Sequence, residues 1–245
     1  MKNKTAKLCF LAIVFISLTA CKKAETEKPQ TKLTKVEGTQ LTYILPSPKT
    51  DGTVSVERAL QNRRSQRNFV DKAISAENLS QILWAAYGIT QPRPDLRGGL
   101  RAAPSAGAMY PFEIYVIITK VNGIETGVYK YISEEHKIVR TIDKDISDEF
   151  TAAALGQTFV KEAPVNIFYC AIYSRMTKRY GDRGRDRYVC MDLGHSAQNV
   201  YLQATALNLG TCAIGAFSDD KIAEIMQLPE EEIPLYIMPL GHYYR

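Results

Sequence analysis

Apolar residues recur every three or four positions in several segments of the chain, and this spacing predicts helices. SVERALQNR indicates a short helix that ends near Arg63. SAENLSQILWAAYG indicates a second helix, with Ser75 as its N-cap and Gly88 as its stop. The same period continues over several turns from Asp186 and stops at Gly210, which predicts a long core helix.

Runs of β-branched, aromatic and other apolar residues predict strands between these helices. FEIYVIIT and TGVYKYI are separated by a segment that contains Asn122 and Gly123, and they predict a β-hairpin, which HKIVRTI extends as a meander. APVNIFYCAIY is almost wholly apolar, so we expect a central strand. TCAIGAF predicts a short strand, SDDKIAEIMQL a helix capped by Ser218, and IPLYIMPLG a last strand. The prolines and glycines of TQPRPDLRGGLRAAPSAGAMYP predict an irregular loop.

The first twenty residues do not follow the pattern of a folded core. Three lysines precede an apolar run from Leu8 to Leu18, which is too short to span a bilayer and is typical of an export signal. The run ends in LTAC, which resembles the lipobox of bacterial lipoproteins, whose cysteine carries lipid. A plain secretory signal with an incidental cysteine is the alternative. We therefore expect a protein exported to the periplasmic or extracellular face and anchored in the membrane through acyl chains on Cys21.

These features divide the chain into three parts. Residues 1–20 form the predicted signal peptide, and residues 21–50 form a lipidated cysteine followed by a flexible tether rich in Lys, Glu, Thr and Pro. Residues 51–245 contain all the predicted helices and strands and no internal repeat. The sequence therefore predicts one α+β domain behind a membrane tether.

Charge and cysteine content exclude several classes of protein. The chain of 245 residues has a formal net charge of +5, and three of the lysines lie in the predicted signal, so nucleic acid is not an expected partner. The body retains Cys170, Cys190 and Cys212, an odd number without zinc-like spacing. The three histidines lie in separate elements. We expect no metal site and no disulfide framework.

The segment NRRSQRNF concentrates three arginines and a serine, Arg63, Arg64, Ser65 and Arg67. Forked guanidinium donors and a hydroxyl suit a phosphate group. Two stretches of small residues, APSAGAMYP and AIGAF, allow a flat ring to approach the backbone. Together they favour a mononucleotide-like cofactor such as FMN, and the alternative is a solvated helix end.

Four motifs in order resemble the nitroreductase family of flavoproteins: NRRSQRNF, APSAGAMYPFEIYVI, DLGHSAQNVYLQATALNLGTCAIGAF and MPLGHYY. The GHSAQN and PSAGAMYP forms are similar to the SagB-type branch, which includes oxidases of azoline rings in modified peptides. The resemblance covers about residue 54 to the C-terminus. It implies a nitroreductase-like fold with a central, mostly antiparallel sheet flanked by helices. It also implies an intertwined homodimer with FMN at the interface and the long helix at its centre; a purely intrachain core helix is the alternative.

The resemblance implies a set of FMN-binding residues. The phosphate and ribityl ligands would be Arg63, Arg64, Ser65 and Arg67, with Arg245 matching a basic residue near the end of the chain in many members. Pro104, Ser105, Ala106 and Gly107 match the segment beside the flavin. Ile214, Gly215 and Ala216 match the backbone at the reactive edge of the ring.

In such a site the flavin performs the redox chemistry, so no dedicated catalytic side chain is required. The resemblance implies an oxidoreductase that takes hydride from a donor such as NAD(P)H and reduces a nitroaromatic, quinone-like or related acceptor. One alternative is a SagB-type dehydrogenase of a peptide azoline or another heterocycle. In azoline oxidases a lysine and a tyrosine are linked to proton removal, and Arg187 and Tyr188 are the nearest match. A further alternative is an FMN-binding lipoprotein without catalysis.

Overall fold

The structure is a computed structural model that describes residues 32–244. The predicted signal peptide, the predicted lipidation site Cys21 and the proposed phosphate ligand Arg245 lie outside the described residues. No helix in the described part is long and apolar enough to span a membrane.

The described chain forms ten strands. They are β1 (Thr34–Val36), β2 (Thr42–Ile44), β3 (Ile89–Pro92), β4 (Gly99–Arg101), β5 (Phe112–Ile118), β6 (Gly127–Ile132), β7 (Lys137–Ile142), β8 (Val165–Ala171), β9 (Gly210–Thr211) and β10 (Ile233–Gly241). Eight of them form one sheet in the order β1-β2-β7-β6-β5-β8-β10-β9, and β3 pairs with β4 separately. All strand pairs in both sheets are antiparallel. The predicted antiparallel sheet is confirmed.

Seven α-helices accompany the strands in the described part of the chain. They are α1 (Val56–Asn62), α2 (Ala76–Tyr87), α3 (Ser147–Ala153), α4 (Thr158–Glu162), α5 (Tyr173–Arg183), α6 (Val189–Ala206) and α7 (Asp219–Met226). A π-helical segment, Gly184–Tyr188, joins α5 to α6. The hydroxyl oxygen of Ser55 accepts a hydrogen bond from the amide of Arg58, and that of Ser75 accepts one from Asn78, both at 3.2 Å. These caps satisfy orphan amides at the starts of α1 and α2.

Both faces of the central sheet are covered by helices. On β5, Ile114 and Val116 belong to a core cluster with α2 and α6, while Tyr115 and Ile117 belong to a second cluster with α3 and α7. Alternate side chains of a strand point to opposite faces, so a strand buried on both sides is apolar throughout. This is why β8 is buried along its whole length and is apolar except at Asn166, and its predicted central position is confirmed.

The structure differs from the sequence predictions at several places. Residues 34–36 and 42–44, assigned to the tether, pair within the main sheet, so the domain begins before residue 51. The predicted loop after α2 contains the hairpin of β3 and β4. Of the segment TCAIGAF, only Thr211 lies in a strand, the two-residue β9. The helix α5, between the central strand and the long helix, is polar on most sides and was missed.

Candidate flavin site

The arginine-rich segment leaves α1 in an extended conformation and runs beside β9. Arg63 caps α1 with φ −57° and ψ 126°. Beyond it, Ser65 forms a parallel bridge with Thr211, and the amide of Gln66 donates to the Thr211 carbonyl at 2.9 Å. A Cβ on Gly210 would lie 2.7 Å from the Gln66 Cβ, so the close approach requires glycine. The predicted position of the cluster, just beyond a helix end, is confirmed.

The three arginines of this segment have no carboxylate partner within 4.0 Å in the described part of the chain. The Arg63 guanidinium lies 5.3 Å from the Tyr201 ring centroid, and that of Arg67 lies 5.9 Å from the Phe159 centroid. Arg64 differs, because its Nη1 donates to the carbonyls of Gln61 at 2.9 Å and Arg63 at 2.7 Å. Arg63 and Arg67 are therefore the guanidinium groups best placed to bind an anion, while Arg64 stabilises the end of α1.

Tyr201, on α6, joins the arginine segment to the chain after β9. Its hydroxyl lies 3.1 Å from Ser65 Oγ and accepts a hydrogen bond from the backbone amide of Ala213 at 2.8 Å. Its ring supports Arg63. Sequence reasoning missed this residue, although a tyrosine on a core helix requires a partner for its hydroxyl.

The segment Ile214–Ala216 follows immediately. Ile214 exchanges two backbone hydrogen bonds with Ile237, at 2.9 and 3.0 Å, which hold the segment against β10. Gly215 and Ala216 are exposed, and Gln157 donates to the Ala216 carbonyl at 3.1 Å. A Cβ added at Gly215 would have its nearest neighbour 3.9 Å away, on Tyr236, so one side of this backbone is open. The structure brings Ser65 and this segment together through Tyr201.

Residues 104–108, which we name the PSAGA motif, are held by a buried carboxylate on α6. Ser105 Oγ donates to Asp192 at 2.6 Å, and the amide of Ala106 donates to the same carboxylate at 3.1 and 3.2 Å. Asp192 is 3% exposed. Burial raises the pKa of the Asp192 carboxyl above its usual value, and the hydrogen bonds from Ser105 and Ala106 oppose that shift. Pro104 and Gly107 are exposed beside these anchors. Sequence reasoning missed Asp192.

One chain does not bring every predicted site residue together. Asp192 and Tyr201 are nine positions apart on α6, which is about 14 Å along a helix axis. The PSAGA motif therefore lies toward the start of α6, while the arginine segment and Ile214–Ala216 lie toward its end. The predicted candidate Tyr188 lies at the PSAGA end, where its hydroxyl accepts from Arg183 Nε at 2.9 Å.

Two further groups of predicted residues have structural positions. Of the arginines in the loop after α2, Arg101 is 3% exposed at its side chain, pairs with Glu134 at 2.9 Å and lies over the Tyr87 ring. It anchors the β3–β4 hairpin. His195 is half-exposed, with Nδ1 4.0 Å from Asp192. Among the described residues Cys170, Cys190 and Cys212 are free thiols, and no cluster of metal-ligating side chains is found. Burial raises the pKa of the Cys212 thiol to about 11.

A cavity of about 690 Å³ lies between residues 46–54, α1, α2 and the end of α6. Trp84, Ala102, Leu202 and Leu207 contribute apolar surface to it, and Asn199 and Gln203 contribute amides. Val56, also in its lining, is 64% exposed. The cavity adjoins α1, which leads into the arginine segment.

Sequence comparison finds several relatives. A protein of Methanocaldococcus jannaschii that is described as a nitroreductase is 48% identical over 188 residues, which are 77% of this chain and 91% of that protein. An FMN reductase of Bacillus subtilis is 23% identical over 200 residues, 76% of this chain and 65% of its own. A microcin B17-processing protein of Escherichia coli is 25% identical over 181 residues, 71% of this chain and 65% of its own. The chain thus spans less than two thirds of the last two.

A solved structure described as a nitroreductase from Ralstonia eutropha superposes with a TM-score of 0.71 and 26% identity, over 88% of this chain and all of that one. The model of the nitroreductase family matches residues 60–242, which contain α6 and the four motifs as far as His242. Because this model matches most of the chain and the Methanocaldococcus jannaschii protein is 48% identical over 77% of it, the chain belongs to the nitroreductase family.

Proposed function

We propose that this protein is an FMN-dependent oxidoreductase that passes hydride through bound flavin to a nitroaromatic, quinone-like or related small acceptor. Its family supports flavin-dependent redox chemistry in general. The observation that carries the proposal is the arrangement around Tyr201. This side chain links an exposed cluster of unpaired arginines to the open backbone at Gly215.

The residues present fit the phosphate end of FMN. Arg63 and Arg67 provide guanidinium donors without carboxylate partners, and Ser65 provides a hydroxyl. Next to them Thr211 is 2% exposed, and its Oγ1 has no hydrogen-bond partner in the described structure. An unpaired buried hydroxyl is costly, so a polar ligand here would remove that cost. This donor set suits a phosphate and a ribityl chain.

The exposed backbone of Gly215 and Ala216 fits the ring end. The first of these has no side chain and is exposed, and a Cβ there would have its nearest neighbour 3.9 Å away, so a planar ring can approach the chain closely. When bound, FMN supplies the hydride-transfer chemistry. The chain's own part is to orient the ring: Gln157 fixes the Ala216 carbonyl, and Ile237 fixes Ile214.

We propose a homodimer in which the PSAGA motif of one copy completes the site of the other. The two halves of the site are about 14 Å apart along α6 in one chain, so a second copy is the simplest source of the missing half. Large apolar side chains are exposed on α1 and α6: Val56 at 64%, Leu60 at 52% and Met191 at 55%. Sedimentation of the full chain at twice the monomer mass is the expected result, and a monomer that retains FMN contradicts it.

A second candidate is the oxidation of a peptide azoline or another heterocycle. The similarity to a microcin B17-processing protein favours it. Against it, Arg187 stands beside Tyr188, and arginine stays protonated and cannot act as a base. Incubation of the flavin-loaded protein with an azoline peptide distinguishes the two functions, because only a dehydrogenase of this kind lowers the peptide mass by two hydrogens.

We also propose that the protein is exported and anchored through lipid on Cys21, as the LTAC segment indicates. Incorporation of labelled palmitate into the wild type and its loss in Cys21→Ser is the expected result. Equal distribution of both proteins in the soluble fraction contradicts the anchor.

The absorption spectrum of the full chain tests the proposed function. After incubation with FMN and desalting, we expect a retained flavin band that bleaches on anaerobic addition of NADPH and returns when a nitroaromatic or a quinone is added. A retained band that no donor bleaches contradicts the enzymatic function.

Arg63→Gln combined with Arg67→Gln tests the residues. We expect this variant to lose the flavin band and keep its far-UV circular dichroism, because both side chains are at the surface and only cation–π contacts hold them. Arg58→Gln is the matched control, since Arg58 is an exposed arginine of α1 outside the cluster. Equal FMN retention in all three proteins refutes the assignment.

A further inference from the structure

The segment that joins the central strand to the long helix is strongly cationic. Tyr173–Tyr188 contains six cationic and two acidic residues. One of the cations, Arg175, pairs with Glu113 beneath the surface. The other five are exposed, and we name them the α5 cationic surface: Lys178, Arg179, Arg183, Arg185 and Arg187.

None of these five side chains lies within 4.0 Å of a carboxylate in the described part of the chain. Cations elsewhere commonly find acids, as Lys130 does with Glu232 at 2.6 Å and Arg140 with Glu125 at 3.0 Å. The surface therefore carries positive charge that no described carboxylate pairs with. Such a field attracts anions and raises their local concentration.

Aromatic rings hold three of these guanidinium groups. Arg179 lies 5.4 Å from the Tyr180 ring centroid, Arg183 lies 5.7 Å from that of Tyr188, and Arg185 lies 5.8 Å from that of Tyr173. The rings of Tyr180 and Tyr188 also pack edge to face at 5.0 Å. A guanidinium placed over a ring keeps its N–H donors at its edge, where they can bind a carboxylate or phosphate.

The surface adjoins the PSAGA motif. Gly107 has φ +60°, and a Cβ there would lie 2.5 Å from the Tyr180 hydroxyl and 3.2 Å from Arg179 Nη1. No side chain at position 107 separates the motif from Arg179. An anion bound by Arg179 would therefore lie next to the segment assigned to the flavin site.

We propose that Arg179 and Arg183 bind a phosphate or carboxylate group on the small molecule that exchanges electrons at the flavin, and that the enzyme prefers anionic substrates. The inference rests on the proposed function and adds the class of substrate to it. The anionic group has two sources, the 2′-phosphate of a nicotinamide donor or a carboxylate on the acceptor. In both cases a negatively charged group faces the positive charge of the two arginines.

The test compares the flavin-loaded full chain with Arg179→Gln/Arg183→Gln in two arms. One arm titrates the oxidised protein with 4-nitrobenzoate and with its neutral amide, 4-nitrobenzamide, and follows the flavin spectrum at equilibrium. The other measures the concentration dependence of flavin bleaching by NADPH and by NADH. Lys144→Gln/Lys161→Gln is the matched control, because it removes two exposed charges on the other side of the sheet.

We expect the variant to bind the more anionic member of at least one pair about tenfold more weakly, with less than about a twofold change for the other member. The arm that responds identifies the source of the anion. Arg179→Lys/Arg183→Lys keeps the charges and is expected to recover part of the loss, which separates an electrostatic role from a defect in folding.

Equal affinities of the wild type and all variants for every compound overturn the inference. The proposed function still stands in that case, because the protein retains flavin that the donor bleaches. A wild-type chain that retains no FMN overturns both. Equal weakening of charged and neutral members, or the same loss in the control, also refutes it. The inference is also refuted if the variants bind the small molecules as the wild type does but no longer bind phosphatidylglycerol vesicles that the wild type binds. That result would assign the surface to a membrane.

Discussion

The hydroxyl of Tyr201 lies 3.1 Å from Ser65 Oγ, and it accepts a hydrogen bond from the amide that begins the segment leading to Gly215. One phenol thus sets the spacing between the arginine segment and the open backbone. These are the two parts of a single chain that the proposed function assigns to the phosphate and the ring of FMN.

Tyr201→Phe removes the hydroxyl and keeps the ring under Arg63. Loss of two hydrogen bonds that align the site is expected to weaken FMN binding about tenfold, the equivalent of roughly 1.4 kcal/mol. Quenching of flavin fluorescence on titration with the flavin-free protein measures it. Tyr244→Phe, at a tyrosine 61% exposed, is the control. Unchanged affinity in Tyr201→Phe shows that the phenol does not position the site.

Gly210 and Gly215 flank Ala213, whose amide donates to the Tyr201 hydroxyl. Replacement by alanine is expected to reduce the stability of the fold at the first position and FMN binding at the second. Gly210→Ala places a methyl group 2.7 Å from the Gln66 Cβ and is expected to destabilise the fold by about 1–3 kcal/mol. Gly215→Ala meets no atom nearer than 3.9 Å, so stability should stay within about 0.5 kcal/mol while FMN binding weakens. Urea unfolding and flavin titration measure the two effects. A stable Gly210→Ala contradicts the close approach of the arginine segment.

Ser105→Ala is expected to destabilise the protein by about 1–3 kcal/mol in urea unfolding. The hydroxyl donates to Asp192 and accepts from the Tyr110 amide at 2.9 Å, so its removal leaves two buried groups with fewer partners. Ser174→Ala, at an exposed serine of α5, is the control. A stability equal to that of the wild type would show that Asp192 does not need Ser105 to hold the PSAGA motif.

His136 is expected to make the fold less stable in mild acid. Its Nδ1 lies 2.8 Å from the Tyr131 hydroxyl and its Nε2 lies 2.7 Å from Ser80 Oγ. Because Ser80 donates to the Pro46 carbonyl, its oxygen accepts from Nε2–H, and Nδ1 accepts from Tyr131. In the neutral ring, both nitrogens therefore have a hydrogen-bond partner of the right kind, whereas a proton on Nδ1 would face the hydroxyl that donates to it. Burial lowers the pKa of His136 below its usual value of 6.5.

The sign follows from proton linkage. The unfolded chain takes up a proton on this histidine near pH 6.5 while the folded one resists, so the contribution is present above that pH and is lost as the pH falls through the lower folded pKa. Burial also lowers the pKa of His242, which contributes with the same sign. His136→Gln is expected to flatten the slope of unfolding free energy between about pH 5 and 7. An unchanged slope assigns it to other groups.

Local patterns account for the elements that were predicted correctly. The helix α2 has an apolar face, a serine cap and a glycine stop within one segment. The strands β5, β6 and β7 are runs of apolar and β-branched residues that pair in sequence order and are joined by short turns. By contrast, the apolar stripe of α5 is narrow and consists of Tyr173, Met176 and Tyr180 among charged and polar residues. Such a local pattern resembles a solvated segment, and the helix depends on distant partners such as the Arg175–Glu113 pair. The hairpin of β3 and β4 depends in the same way on buried Arg101.

The sequence by itself determined the class of fold, the position of the arginine cluster beyond α1 and the motifs that mark the family. These depend on periodicity, capping and residue type within short windows. The tertiary structure alone decided that Tyr201 joins Ser65 to the chain near Gly215, that Asp192 holds the PSAGA motif, and that α6 keeps the two halves apart. Ser65 and Tyr201 are 136 positions apart, and Ser105 and Asp192 are 87 apart. Contacts of that range form only when the sheet and α6 pack, so no local pattern records them.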